Sequence, residues 1–164
     1  MQTFHPLFTS WHITFGTYGT RLHGDYRATV DRLHNELGTP FIDTNELRKT
    51  CEAKRMKFAP LILNDEQRSF LQTTAPSICE RGGWHYRISA AEPDHFHILL
   101  DIDPKIHGER VRRLLKRWLT QELNQHWQLL QNAWWAEEGS NKAIHEEKYL
   151  NNAYNYILKQ RFEQ

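Results

Sequence analysis

The residues of this chain with the most chemical potential begin with His95-Phe96-His97. A strand alternates its faces with a period of two, so an extended tripeptide projects His95 and His97 together and sends Phe96 the other way. Two imidazoles on one face can give a divalent metal two nitrogen ligands from a rigid element, and Leu99 and Asp101 continue that face. The plain alternative is a pair of half-exposed strand histidines, and spacing alone does not choose between them. Further along, Tyr156 and Gln160 are four apart and Asn152 lies four before Tyr156, so on a helix the three share a face. A phenol titrates near pH ~10 and is a poor nucleophile unless it is aligned with a strongly polarised electrophile. A metal on a phosphodiester withdraws electron density and screens the oxygen charges, so that phenolate attack in line can displace a ribose 3′-oxygen. Gln160 offers a neutral carbonyl oxygen able to complete a metal site begun by two histidines. The competing role for Tyr156 is ordinary packing beside Ile157 and Leu158.

Two other tyrosines compete. Tyr154, two positions from Tyr156, falls about 200° round a helix on a nearly opposite face. Tyr149 lies seven before Tyr156 on the same face but two turns away, with no Gln or Asn four residues after it. Tyr156 ranks first and Tyr149 second.

The elements that must position these groups can be read from patterning. Residues 8–15 are rich in aromatic and β-branched types and stop at Gly16, which predicts a first strand. Residues 16–60 carry scattered Gly, Pro, Asn and Asp with no sustained apolar period, and read as a long irregular connection with short helices. Asn64 is a good N-cap for a helix ending near Arg81-Gly82-Gly83. Strands follow at 84–91 and 95–102, joined at Pro93-Asp94 as an antiparallel hairpin. Val111, Leu114, Leu115, Trp118, Leu119, Leu123, Trp127 and Leu130 recur at helical spacing, predicting an amphipathic helix over 108–130. Short strands are expected at 133–136 and 143–145 about Gly139-Ser140-Asn141, and a last helix at 146–160. This order is that of an α+β ferredoxin-like sandwich, an antiparallel sheet with its helices mainly on one face.

Composition sets bounds. With 164 residues, 39% hydrophobic and 25% charged, the chain fits one domain and lies far from the regime of disordered sequences. No run approaches the roughly 18 apolar residues of a membrane span, and the opening Met1-Gln2-Thr3-Phe4-His5 lacks a secretory layout, so a cytoplasmic protein with no membrane partner is expected. Cys51 and Cys79 are the only cysteines, too few for a disulfide scaffold or a four-cysteine zinc site. Lys plus Arg at 21 against Asp plus Glu at 20 announces no polyanion partner, so any nucleic-acid contact must rest on local patches.

Taken together, His95-Phe96-His97, Tyr156-Ile157-Leu158-Lys159-Gln160 and Gly139-Ser140 resemble the HUH single-tyrosine transposases of bacterial insertion sequences, and especially the REP-associated tyrosine transposases. The opening from Trp11-His12-Ile13-Thr14-Phe15 to Arg21-Leu22-His23-Gly24-Asp25 is similar to a subgroup of them, and the resemblance covers nearly the whole chain. It implies that His95, His97 and Gln160 bind Mg²⁺ or Mn²⁺ and that Tyr156 forms a 5′-phosphotyrosyl bond to single-stranded DNA near hairpins, leaving a 3′-hydroxyl that can later rejoin the DNA. Two imidazoles and one amide would leave coordination positions open for phosphate and water. Such a protein would be nucleoid-associated while bound to DNA. Arg112, Arg113, Lys116 and Arg117, beside Arg110, are expected to face the phosphate backbone, with a second basic candidate at 48–55 diluted by Glu46 and Glu52. Each of these cations is equally well read as part of a solvated helix face. Trp84, Trp134 and Trp135 are candidate platforms for unpaired bases, each as well suited to the core. A monomer is favoured over a homodimer. The rivals are a metal nuclease that activates water, a domesticated non-catalytic hairpin-binding protein, and an α+β domain with a protein partner.

Overall fold

The structure is a computed structural model describing residues 1–20, 45–131 and 133–162. Much of the long connection, and with it Arg21-Leu22-His23-Gly24-Asp25 of the opening motif, lies outside the described residues.

The elements run β1 (Thr9–Gly16), α1 (Glu46–Arg55), α2 (Asp65–Gly82), β2 (His85–Glu92), β3 (His95–Ile102), α3 (Gly108–His126), β4 (Ser140–Ile144) and α4 (Glu147–Gln160). The strands form one four-stranded sheet in the order β2-β3-β1-β4. All its pairings are antiparallel, as the α+β ferredoxin-like arrangement requires. The expected hairpin is β2 with β3. Asn64 caps α2 by accepting from Gln67 N at 2.9 Å, while Gln67 Oε1 accepts from Asn64 N at 3.0 Å. That reciprocal pair satisfies two of the helix's unbonded first-turn donors. Gly83 ends the helix at φ 68°, a left-handed conformation that glycine adopts without cost.

Alternation along β1 and β3 divides the interior in two. On one face Trp11, Ile13, Phe15, Phe96, Ile98 and Leu100 pack with Leu71 and Ile78 of α2 and Val111, Leu115 and Leu119 of α3. On the other, Ile88, Ala90, Leu99 and Ile144 pack with Leu150 and Ile157 of α4. The face shared by α2 and α3 is the one expected for helices, whereas α4 covers the opposite face. With helices on both sides, every residue of β3 is buried, including His95, His97 and Asp101.

The expected strand at 133–136 does not form. β4 pairs with β1 instead, and Trp135 makes a single bridge to Thr17. Both indoles turn inward: Trp134 Nε1 donates to Asn124 Oδ1 at 2.8 Å, and Trp135 Nε1 donates to Thr120 Oγ1 at 3.1 Å. Two successive inward side chains are incompatible with strand alternation. The helix expected to reach 130 leaves helical geometry at Trp127, at φ −131° and ψ 135°.

Cys51 is exposed and Cys79 is buried on the core-facing side of α2, where desolvation pushes its thiol up to about 12. Since the thiolate is the reactive form, a disulfide exchange reagent at pH 8 should titrate one thiol in the native protein and both after denaturation.

Candidate active site

The β1–β3 register builds the floor of the site. It sets Thr14 opposite His97, His12 opposite Leu99 and Gly16 opposite His95. Thr14 Oγ1 lies 2.7 Å from His97 Nδ1, and His12 Nε2 lies 3.2 Å from the same nitrogen. The His95 and His97 rings meet edge to face with centroids 4.4 Å apart, as two neighbours on one strand face must. His95 Nδ1 is 2.5 Å from Asp94 Oδ1. A carboxylate only accepts, so Nδ1 carries a proton; in the neutral ring Nε2 then carries the lone pair, the tautomer a metal-binding imidazole requires. Asp94 is itself fixed: its carbonyl accepts from Thr17 N at 2.9 Å and from Thr20 Oγ1 at 3.0 Å, so the turn after β1 steadies the β2–β3 turn.

Above this floor lies Tyr156. Its ring centroid is 5.3 Å from that of His97 and 6.3 Å from that of His12, both edge to face. Its next neighbour Ile157 is wholly buried while Tyr156 stays 47% exposed, so the phenol borders both the histidines and solvent. Burying Leu150 and Ile157 anchors α4 with about 1.5–3 kcal/mol each. Side-chain bonds fix the flanks of the helix. Asn151 Oδ1 accepts from Gln2 N at 2.8 Å and Asn151 Nδ2 donates to Gln2 O at 3.0 Å. Just past the other end, Phe162 N donates to buried Gln72 Oε1 at 2.9 Å, and Gln72 Nε2 returns a bond to Phe162 O at 3.1 Å. Tyr154 is half-buried against the α4-side core, and Tyr149 and Asn152 are exposed.

Gln160 Oε1 is buried and has no hydrogen-bond partner among the described residues. A buried carbonyl oxygen left so costs about 1–3 kcal/mol unless something is bound to it. Imidazole nitrogens and an amide oxygen are donor types that a divalent cation accepts. Among the described residues no group of three or more His, Cys, Asp and Glu gathers as a metal cluster.

The expected cation face is narrower than its sequence. Arg112 is buried: Nη1 donates to Gly139 O and, at 2.7 Å, to Asn141 Oδ1, and burial lowers its pKa. Lys116 Nζ donates to the carbonyls of Ala136, Glu137 and Glu138 at 2.7, 2.8 and 2.8 Å. Burial pushes that ammonium down to about 7, with the charge of Arg112 adding to the effect. These two cations brace the segment leading into β4 and are not presented to a phosphate backbone. Arg110, Arg113 and Arg117 are exposed, on a helix packed against the sheet face opposite Tyr156. Arg48, Lys54 and Arg55 of α1 are exposed as well. Trp84, Trp134 and Trp135 belong to the core, which removes them as base-stacking platforms.

His12 and Thr14 are site residues that motif spacing missed. The signal was present: they are polar at alternate positions of the strand, facing away from Trp11, Ile13 and Phe15. Burial pushes His12 down to about 4, and the charge of Lys142 adds to the fall, so its imidazole is neutral at pH 7.

Residues 54–160 match the family model described as "Transposase IS200 like". The match spans more than half of the chain, which therefore belongs to the IS200-like transposase family, a class of DNA-processing enzymes. Comparison with curated proteins gives no match. Among solved structures, a candidate transposase from Deinococcus radiodurans R1 is similar at 14% identity and a TM-score of 0.44, over 99% of this chain and 100% of that one. A REP-associated tyrosine transposase bound to a REP hairpin is similar at 12% identity and a TM-score of 0.49, over 96% of this chain and 70% of that one. Among the described residues no helix is long and apolar enough to cross a membrane.

Two outcomes follow from the side-chain environments. Arg112→Ala strands a buried amide oxygen and a backbone carbonyl, and should cost about 3 kcal/mol in urea unfolding, against less than about 0.5 kcal/mol for Arg113→Ala or Arg117→Ala. For His12, the unfolded imidazole takes its proton near pH 6.5 and the folded one only near 4. Between those values the unfolded state binds more protons, so stability falls as pH falls. Measured in chelator, His12→Gln should flatten that limb of the pH profile.

Proposed function

We propose that the protein is a metal-dependent single-stranded DNA endonuclease and strand transferase that cleaves and rejoins DNA near hairpins, with Tyr156 as nucleophile. The observation carrying this is the half-exposed Tyr156 ring in contact with His97 and His12 on the sheet face that also bears His95. His95, His97 and Gln160 would hold Mg²⁺ or Mn²⁺. Such a cation, when bound, supplies Lewis-acid polarisation of a phosphoryl group and screening of its oxygen charges.

The remaining roles belong to the chain's own residues. Asp94 keeps the proton of His95 on Nδ1, and Thr14 and His12 hold His97 from its Nδ1 side. The α4 anchors leave Tyr156 little freedom except rotation of its own side chain, which favours attack in one direction. The phenolate oxygen bonds to phosphorus, the bond to the ribose 3′-oxygen breaks, and that oxygen takes up a proton. The product is a 5′-phosphotyrosine with a separate 3′-hydroxyl. Attack by a 3′-hydroxyl on the phosphotyrosine reverses the step and restores the phenol, so strands can be rejoined without ATP. Tyr156 reaches the histidines of its own chain, which supports a monomer as the active unit. Arg113 and Arg117, exposed on α3, would meet flanking DNA only if its path ran round the sheet.

A labelled hairpin oligonucleotide with a single-stranded flank, incubated with protein and Mn²⁺ and run under denaturing conditions, should yield a covalent adduct. Tyr156→Phe should abolish the adduct and cleavage together, and Tyr149→Phe should retain both. Cleavage without adduct by Tyr156→Phe would mean activated water instead. His97→Ala and Gln160→Ala should each weaken Mn²⁺ binding about tenfold or more, read by electron paramagnetic resonance of the free ion.

A further inference from the structure

The site face of the sheet is unevenly covered. Leu150 and Ile157 of α4 pack over Ile88, Ala90 and Leu99 of β2 and β3, and over Ile144 at the end of β4. Nearer the histidines, β4 sets Ser140 opposite Thr14 and Lys142 opposite His12. Residues directly opposite in an antiparallel pair stand on the same face with Cβ atoms about 5 Å apart. Ser140, Thr14 and His97 therefore form one row across the sheet, and Lys142, His12 and Leu99 form the next. The Tyr156 ring touches one histidine from each row. Lys142 thus stands one strand from a histidine that the nucleophile touches, and about 10 Å, two strand spacings, from β3.

Lys142 is half-buried on the site face, directly opposite His12 in the strand register. The exposed cations of α3 are across the sheet, on the helix packed against the other face. A phosphodiester poised at Tyr156 carries a negative charge that a cation on its β4 side can meet, and a lysine ammonium on a four-carbon stem is a point charge suited to one phosphate oxygen.

We propose that Lys142 is a phosphate-binding residue of the active site, its ammonium holding a non-bridging oxygen of single-stranded DNA at Tyr156 from the β4 edge of the sheet. This rests on the assignment of Tyr156 as nucleophile. Donation to that oxygen steadies the substrate before attack and the added charge during it.

The test separates the two claims. In the Tyr156→Phe background, affinity for a single-stranded oligonucleotide is measured against salt in chelator, with Lys142 intact, Lys142→Gln and Lys142→Arg. Loss of one phosphate contact should reduce the slope of log K against log salt by about 0.7, and Lys142→Arg should restore it. In the Tyr156 background with Mn²⁺, Lys142→Gln should slow adduct formation at least tenfold at saturating DNA, with the melting temperature unchanged. An unchanged slope and rate in the folded Lys142→Gln protein would overturn the proposal, as would a lowered melting temperature with an unchanged slope. If wild type formed no adduct while Lys142→Gln still lost slope, the nucleophile assignment would fail and the lysine contact would stand. Absence of binding at low salt by the Tyr156→Phe protein would overturn both.

Discussion

The antiparallel pairing of β1 with β3 is the constraint on which the rest of the site depends. It brings Thr14 and His12 to His97 and lines up Gly16 with His95. Because side chains alternate with a period of two, a slip of one residue would turn either the polar or the apolar set of one strand to the wrong face. In β1 that error would place Phe15 and Ile13 against α4; in β3 it would bury His95 and His97 under α2 and α3. The hydrophobic clusters on the two faces thus enforce the register, and the register assembles the chemistry.

A fully buried central strand with histidines in it needs them satisfied locally. The protein does this for Nδ1 of each ring, with Asp94 for His95, and Thr14 and His12 for His97. Each partner belongs to, or adjoins, an element already held for packing reasons. Asp94 lies in the hairpin turn gripped by Thr17 and Thr20. Orientation of the imidazoles is consequently a property of the sheet and its turns, as a preorganised site demands.

The two cations Arg112 and Lys116 illustrate how basic residues on an amphipathic helix can serve the fold. Between them they bind the carbonyls of residues 136 to 139 and the Asn141 side chain. Gly139 sits in that brace, where an added Cβ would lie 2.6 Å from Thr14 O and 3.0 Å from Phe15 Cβ. Backbone carbonyls in an irregular segment have no ladder partner, so donors must come from side chains. The brace delivers β4 to the edge of β1, and with it Ser140 and Lys142 to the site face.

Patterning in the sequence was enough to determine that His95 and His97 share a strand face, that Tyr156 and Gln160 share a helix face, and that the elements alternate as an α+β sandwich. These are consequences of local periods, which residue spacing encodes directly. It did not determine that His12 and Thr14 join His97, because they are some eighty residues away in the chain and meet it only through strand register. Nor did it show which cations of α3 face inward, since Arg112 and Lys116 differ from Arg113 and Arg117 in surroundings and not in type. The inward turn of Trp134 and Trp135 and the placement of α4 opposite α2 and α3 were likewise settled by where buried area and hydrogen-bond partners were available. Local sequence assigns a residue to a face, but only tertiary packing decides what that face meets, because the partners come from distant parts of the chain and their free energy exists only once the chain has folded.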